Sequence, residues 1–375
     1  MKIGFLIEYF YPVSGGAENN CFYLARELAK KNEVHVFTSD RKDNQKFKKG
    51  EIINRIHVHR YKNLFRYKYY LTFTPGLLNV LKYKLDILHV HSLGFLWHDK
   101  IVLLKRLFSK AKIVNTPHGP FMALNKYGFF ENVFRNIIIF LELFCNRLYD
   151  VVIQVNPNQY KWMVKYGINK NKIKYVPNGI PKSSFDNIDS KNFIKKYNLG
   201  NKFVISYLGR IQDYKGLDQV IKILPELDKR IVFLVMGKNA GVKNELIKLA
   251  KKLRVSDRVI FTGEVSHPEK LMGLDASEIF ILPSEWEAFG IVILEAMARG
   301  NVIISTKTEG GEFLIKKENG FTYDFGDLNS LKRYIKILFK DKKLMEKIKK
   351  NNMKKAKEFL WENIAKDLEE LYRQF

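Results

Sequence analysis

At 375 residues and 46% hydrophobic composition, the chain is too long for one ordinary open α/β domain and too apolar to be disordered. Two cysteines, Cys21 and Cys145, exclude a disulfide framework and read as buried free thiols in apolar surroundings. The net charge of +26 divides unevenly, +18 over residues 1–185 and +8 over residues 186–375, which raises nucleic acid or anionic lipid headgroups as partners. A bland reading also covers much of the charge: lysines spread over solvated faces. No nucleic-acid-binding module is recognisable, so that class is set aside.

Met1–Ile7 is a short strand-like run that reaches Glu8 at once. No secretory signal is read there, and a reducing, cytoplasmic compartment is expected. Between Lys2–Ile7 and a second strand at Glu33–Thr38, Ala17–Lys30 has helical apolar spacing at Phe22, Leu24, Ala25, Leu28 and Ala29. Strand, glycine turn, helix, strand is a βαβ unit. Further short apolar strands are predicted at Ile87–Val90, Lys112–Asn115 and Val151–Val155, with helical patterns separating several of them. The alternation predicts a parallel, doubly wound sheet. Phe129–Tyr149 is the longest apolar stretch, but Glu131, Arg135, Asn136, Glu142 and Arg147 interrupt it. It reads as a largely buried or membrane-facing amphipathic helix, not a span. Arg66-Tyr67-Lys68-Tyr69-Tyr70 mixes cations with aromatics in a way compatible with an interfacial contact.

The region near Val176–Lys191 holds Pro177, Gly179 and Pro181 and reads as a linker. The pattern then restarts with strands at Phe203–Leu208, Arg230–Met236, Val259–Phe261, Ile279–Leu282 and Val302–Ser305. Residues 331–375 are helical and lysine-rich, with a final amphipathic segment carrying Phe359, Trp361, Ile364, Leu368 and Leu371. Two Rossmann-like domains facing across a cleft are therefore expected. We place the boundaries at 1–185 and 186–355, with a terminal helix over 356–375.

In open parallel sheets, ligands gather beyond the carboxyl ends of the strands. Ser14-Gly15-Gly16-Ala17 follows the first strand and opens the first helix, where paired glycines let backbone approach a ligand; a plain tight turn explains them equally well. His118, in Thr116-Pro117-His118-Gly119, follows a strand and is aimed off its end, or is a loop histidine without a role. His89 and His91 alternate onto one face. A third metal ligand at a suggestive spacing is missing, so a structural or acceptor-side role is preferred and no metal is expected.

In the second half, Gly209-Arg210 ends a strand and Lys215-Gly216 follows, two cations that suit a diphosphate, though cations are common throughout this chain. Leu282-Pro283-Ser284-Glu285-Trp286-Glu287-Ala288-Phe289-Gly290-Ile291 runs from a strand end to a helix N-terminus, a natural phosphate site. On that helix Glu295 shares an apolar face with Ile291, Val292, Ala298 and Arg299. A buried carboxylate needs partners. Sugar hydroxyls would serve, as would Arg299 or the backbone.

Glu287 and Glu295 form an E-x7-E pair, and the segment around them resembles the retaining glycosyltransferase family 4 of the GT-B fold. Gly15-Gly16-Ala17-Glu18, Thr116-Pro117-His118-Gly119, Val176-Pro177-Asn178-Gly179-Ile180, Gly209-Arg210 with Lys215-Gly216, Phe261-Thr262-Gly263, Asn319-Gly320-Phe321 and Trp361-Glu362-Asn363-Ile364-Ala365 extend the resemblance in the family's order over nearly the whole chain. The resemblance implies that Arg210 and Lys215 bind the donor diphosphate. It also implies that Glu295 holds the ribose hydroxyls, and that Glu287 with the backbone of Phe289, Gly290 and Ile291 holds the donor sugar and phosphate. His118 would lie near the reacting carbon, Gly16 would admit the phosphate or sugar, and Glu264 and Val265 would lie near the base. The terminal helix would cross back onto the first domain. The implied reaction is retaining transfer of a hexosyl group from a nucleotide sugar (a UDP-sugar first, GDP-mannose next) to a glycan or lipid-linked acceptor. It would proceed without metal or other cofactor, on a protein held peripherally at the membrane's inner face. A nucleotide-sugar epimerase or a glycogen-synthase-like enzyme on the same fold is the alternative. No Asp-x-Asp occurs anywhere in the chain. Departures from the family pattern are Asn301 where proline is frequent, Asn156-Pro157-Asn158 where serine is usual, and Asn19-Asn20 where larger residues are common.

Overall fold

The computed structural model describes residues 1–42, 45–67, 71–124 and 127–375. Lys68-Tyr69-Tyr70 of the basic aromatic run lie outside the described residues. The chain forms two compact units, one of Met1–Gly179 with Trp361–Phe375, the other of Ile180–Leu360.

The first unit is built on β1 (Lys2–Ile7), β2 (Glu33–Ser39), β3 (Gly50–Ile53), β4 (Ile56–Tyr61), β5 (Ile87–His91), β6 (Lys112–Asn115), β7 (Val151–Gln154) and β8 (Ile173–Tyr175), in the order β8-β7-β6-β5-β1-β2-β4-β3. The pairs are parallel except β3 with β4. Strands covered on both faces must be apolar throughout. Ile3, Phe5, Leu6, Val34, Val36, Phe37, Leu88, Val90, Ile113 and Val152 are all buried. The β3–β4 hairpin departs from the all-parallel expectation. Asn54 and Arg55 both take positive φ, as a tight two-residue hairpin turn requires. Its inward row along β4 includes a buried Arg60, which pairs with Glu51 and donates to the Tyr11 carbonyl at 2.7 Å. A guanidinium in the core row hid this strand from the hydrophobic pattern.

Helices α1 (Gly16–Leu28), α2 (Leu96–Phe108), α3 (Phe129–Cys145) and α4 (Tyr160–Lys165) follow strands of this sheet. Of the two readings of α3, largely buried is set aside, because only Ile138 and Glu142 are fully enclosed. Cys21 is buried, but Cys145 near the end of α3 is only half-buried, a correction to the expectation for both thiols. No described helix is long and apolar enough to cross a membrane.

The second unit contains α5 (Lys191–Lys196), β9 (Phe203–Leu208), α6 (Leu217–Ile223), β10 (Ile231–Met236), α7 (Lys243–Lys252), β11 (Val259–Gly263), α8 (His267–Asp275), β12 (Ile279–Leu282), α9 (Ile291–Ala298), β13 (Val302–Thr306), α10 (Glu309–Leu314) and β14 (Gly320–Tyr323), closed by α11 (Leu328–Lys340) and α12 (Lys342–Lys357). The sheet is wholly parallel, ordered β11-β10-β9-β12-β13-β14. Asn301 sits in the turn between α9 and β13. Its amide donates to the Leu274 and Ser277 carbonyls at 2.9 and 2.6 Å, and its backbone N–H to Ala296 at 3.0 Å. The amide of Asn352 on α12 donates in turn to the Asn301 and Asn319 carbonyls, at 2.7 and 2.9 Å. The donor side of both buried amides is thus paired, while Asn301 Oδ1 is enclosed without a partner among the described residues.

After α12 the chain leaves the second unit, and α13 (Trp361–Arg373) packs against α1 in the first. Trp361 stacks on Tyr23 with ring centres 5.7 Å apart, Asn32 donates to Glu369 at 3.2 Å, and the Tyr372 hydroxyl meets His89 Nδ1 at 2.6 Å. Leu368, on the same face, is fully buried. Replacing Leu368 with alanine should cost the first unit about 2–5 kcal/mol of stability, measured by urea unfolding; a loss well under 1 kcal/mol would mean α13 is not part of that core.

Candidate functional site

Both sheets place chemistry at their carboxyl edges. In the second, β9 and β12 are neighbours at the point where strand order reverses, so the loops that follow them adjoin. Glu285 N–H donates to the Tyr214 carbonyl at 2.7 Å, and the Gln219 amide donates to the Pro283 carbonyl at 3.0 Å. Gly216 makes the fit possible: its φ is +63°, and a Cβ there would lie 2.2 Å from the Pro283 oxygen.

This seam brings Lys215 and Glu287 together, with Nζ 2.8 Å from Oε2 and side chains 12% and 20% exposed. Lys215 Nζ also lies 4.8 Å from the centre of the Tyr214 ring. Burial works against the Lys215 ammonium, but the Glu287 carboxylate outweighs it and the ammonium is held above the ordinary lysine value. Arg210 is exposed one residue beyond Gly209 and reaches the Tyr214 hydroxyl at 3.5 Å. Tyr214, an aromatic beside a lysine, was missed by motif reading.

Phe289 is buried beside Phe313 and Phe359, and Gly290 caps α9 with a φ of +80°. The helix therefore begins at Ile291; Ile293 N–H turns back to the Gly290 carbonyl at 2.8 Å, and the N–H groups that open a helix have no acceptor in a preceding turn. Glu295, on the same helix, is half-buried and accepts from Lys270 of α8 at 2.5 Å. Neither Arg299 nor the backbone is its partner, for Arg299 is engaged with Asp275 and the Ser184 and Asp186 carbonyls. Glu264 and Val265 follow the end of β11; Glu264 is exposed and Val265 half-buried.

In the first unit, Gly15 caps α1 and Gly16 opens it. A Cβ at Gly16 would meet nothing within 4 Å, so internal packing does not demand glycine there. β5 and β6 are neighbours, and their ends hold the histidines. His89 and His91 stack on one face with ring centres 4.4 Å apart. His89 is fixed between the Tyr372 and Thr116 hydroxyls, at 2.6 and 2.7 Å. His91 Nδ1 lies 2.9 Å from Nε2 of His118, whose φ is +60°. His91 was not foreseen as its partner. Among the described residues, three or more His, Cys, Asp or Glu side chains nowhere group so as to hold a metal ion.

The direction of the His91–His118 bond follows from burial. His91 Nε2 is enclosed without a partner among the described residues. A proton there would be an orphaned buried N–H, the rarer and costlier case. The proton therefore sits on His91 Nδ1, His118 Nε2 accepts, and His118 carries its N–H on Nδ1. Burial depresses all three imidazoles: His89 and His118 to about 3, and His91 well below its ordinary value. His118 is thus a neutral hydrogen-bond donor.

Residues 14–183 match the family described as Glycosyltransferase Family 4, and residues 189–355 match Glycosyl transferases group 1. The N-acetyl-alpha-D-glucosaminyl L-malate synthase of Bacillus anthracis is 26% identical, over 98% of this chain and 94% of that one. The alpha-monoglucosyldiacylglycerol synthase of Streptococcus pneumoniae is 27% identical, over 81% and 71% respectively. Among solved structures, Anabaena HepE in complex with UDP and glucose superposes with a TM-score of 0.81 at 19% identity, over the whole of both chains. The architecture is GT-B. The chain belongs to the family 4, or group 1, glycosyltransferases.

In 15N spectra the His118 ring should remain neutral, with Nδ1 protonated, down to a pH of about 5. An imidazolium signal for His118 appearing near pH 6.5 would contradict the burial argument.

Proposed function

We propose that this glycosyltransferase moves a hexosyl group from a nucleotide sugar, a UDP-sugar first and GDP-mannose next, onto a glycan or lipid-linked acceptor with retention of configuration. The observation that carries the reading is the seam between the β9 and β12 loops, where Lys215, Arg210 and the first turn of α9 gather beside Glu287. Departure of a nucleoside diphosphate leaves negative charge on phosphate oxygen while positive charge grows on the sugar carbon. Lys215, Arg210 and the α9 N–H groups act on the first; Glu287, which already holds Lys215, acts beside the sugar. These groups serve the leaving phosphate without a metal, and the chain's lack of Asp-x-Asp accords with that.

Glu295 takes the ribose hydroxyls, sharing its carboxylate with Lys270. Glu264 and Val265 lie toward the base, and the backbone of Phe289, Gly290 and Ile291 takes sugar and phosphate oxygens. His118 donates from Nδ1 to the donor sugar rather than removing a proton; the leaving phosphate accepts the proton of the acceptor hydroxyl. Gly16 leaves room for a ligand that a larger residue would obstruct. A relative bound to UDP and glucose supports the choice of donor. The lipid-linked acceptor and a peripheral position on an anionic membrane rest on the basic first half and on a relative named alpha-monoglucosyldiacylglycerol synthase.

UDP should raise the melting temperature more than GDP or ADP in a thermal-shift screen. With the matched donor and acceptor, nucleoside diphosphate release should survive chelation of divalent metals. Lys215→Ala and Glu287→Ala should each lower kcat/KM by roughly 100- to 1,000-fold; full activity of Lys215→Ala would overturn the phosphate assignment.

A further inference from the structure

The helix α3 exposes eight positions: Phe129, Phe130, Val133, Asn136, Ile137, Phe140, Leu141 and Phe144. Seven are large and apolar, and Phe129 and Phe130 are 77% and 85% exposed. They recur at one-turn and two-turn spacings and form a single stripe. The opposite face is firmly seated. Ile138 packs with Phe121, Met122 and Tyr166, and the Glu142 carboxylate accepts from Gly94 N–H at 2.6 Å. The stripe is therefore a fixed feature of the first unit and not a helix without a home.

We propose that this face of α3 docks into an anionic lipid bilayer, lying in the interfacial plane. The proposal deepens the membrane-side part of the proposed function and rests on that reading for its purpose. Two observations select lipid over protein. A protein interface carries about one hydrogen bond per 100–200 Å², yet Asn136 is the one polar side chain among these exposed positions, a poor match for a protein partner and a good one for hydrocarbon. Cations also lie at one end of the stripe and on the neighbouring helix. Arg147 lies 5.6 Å from the Phe144 ring, and α4, whose Trp162 packs with α3's buried side, exposes Lys161 and Lys165. Residues 151–179, which belong to the same unit, hold five lysines and no acidic residue. Phosphate headgroups would meet these cations while the phenyl rings enter the acyl boundary. At about 1.5 Å per residue the helix is too short to span, and its seated face carries Glu142, so it lies on the bilayer.

The test is co-sedimentation of the full-length protein with vesicles of phosphatidylcholine alone or mixed with phosphatidylglycerol. The wild type should bind the mixed vesicles, and a Phe130→Ser, Phe140→Ser, Phe144→Ser triple variant should bind roughly tenfold or more weakly. Lys161→Glu with Lys165→Glu should weaken binding to the mixed vesicles alone. A UDP thermal shift, read on the same samples, should be unchanged in all variants and shows that they are folded. Equal binding by the triple variant, or no binding by the wild type to either vesicle, overturns the proposal. So does a wild-type dimer that the triple substitution converts to monomer without any vesicle binding. Vesicle binding lost in the triple variant of a protein that never responds to a nucleotide would support the docking face while removing the donor reading.

Discussion

Parallel strands can be joined only by crossovers that bring the chain back to the same edge, and the candidate site residues of both units gather at or just beyond such edges. Residues distant in the chain become neighbours because their strands are neighbours. Lys215 and Glu287 are 72 positions apart, yet they meet because β9 lies beside β12. His91 and His118 are 27 apart and meet because β5 lies beside β6. In each unit the strand order reverses at or next to this pair of strands.

The two edges differ in how they treat charge. In the second unit the ions are largely enclosed but hold one another, so Lys215 keeps its proton despite losing water. In the first, burial without a countercharge drives the histidines neutral and leaves them to organise one another through hydrogen bonds. The second edge therefore presents paired charge, and the first a neutral hydrogen-bonding surface.

Much of this was legible in the sequence. Strands β1, β6, β9 and β12 were bounded correctly because doubly covered strands are apolar along their whole length. The β3–β4 hairpin was not, since Arg60 occupies a core position that only its bonds to Glu51 and Tyr11 make tolerable. The candidate site was legible where glycine, proline or a paired carboxylate marked a loop. It was illegible where the partner came from another element: Lys270 for Glu295, His91 for His118, and Tyr372, 283 positions away, for His89. Spacing along a chain carries no information about such pairs. The strand order does, and that order is settled by the packing of whole layers.

The asparagine cluster in the second unit bears on how this sequence can drift. Asn301 closes its turn with three donated hydrogen bonds, and Asn352 links that turn to Asn319. Proline at position 301 would delete all three donors at once while leaving Asn352 in place. A lineage that exchanged one residue for the other would have to pass through a weakened intermediate or change several positions nearly together. Positions 301, 319 and 352 should therefore evolve as a linked set, their identities explained by one another more than by the reaction.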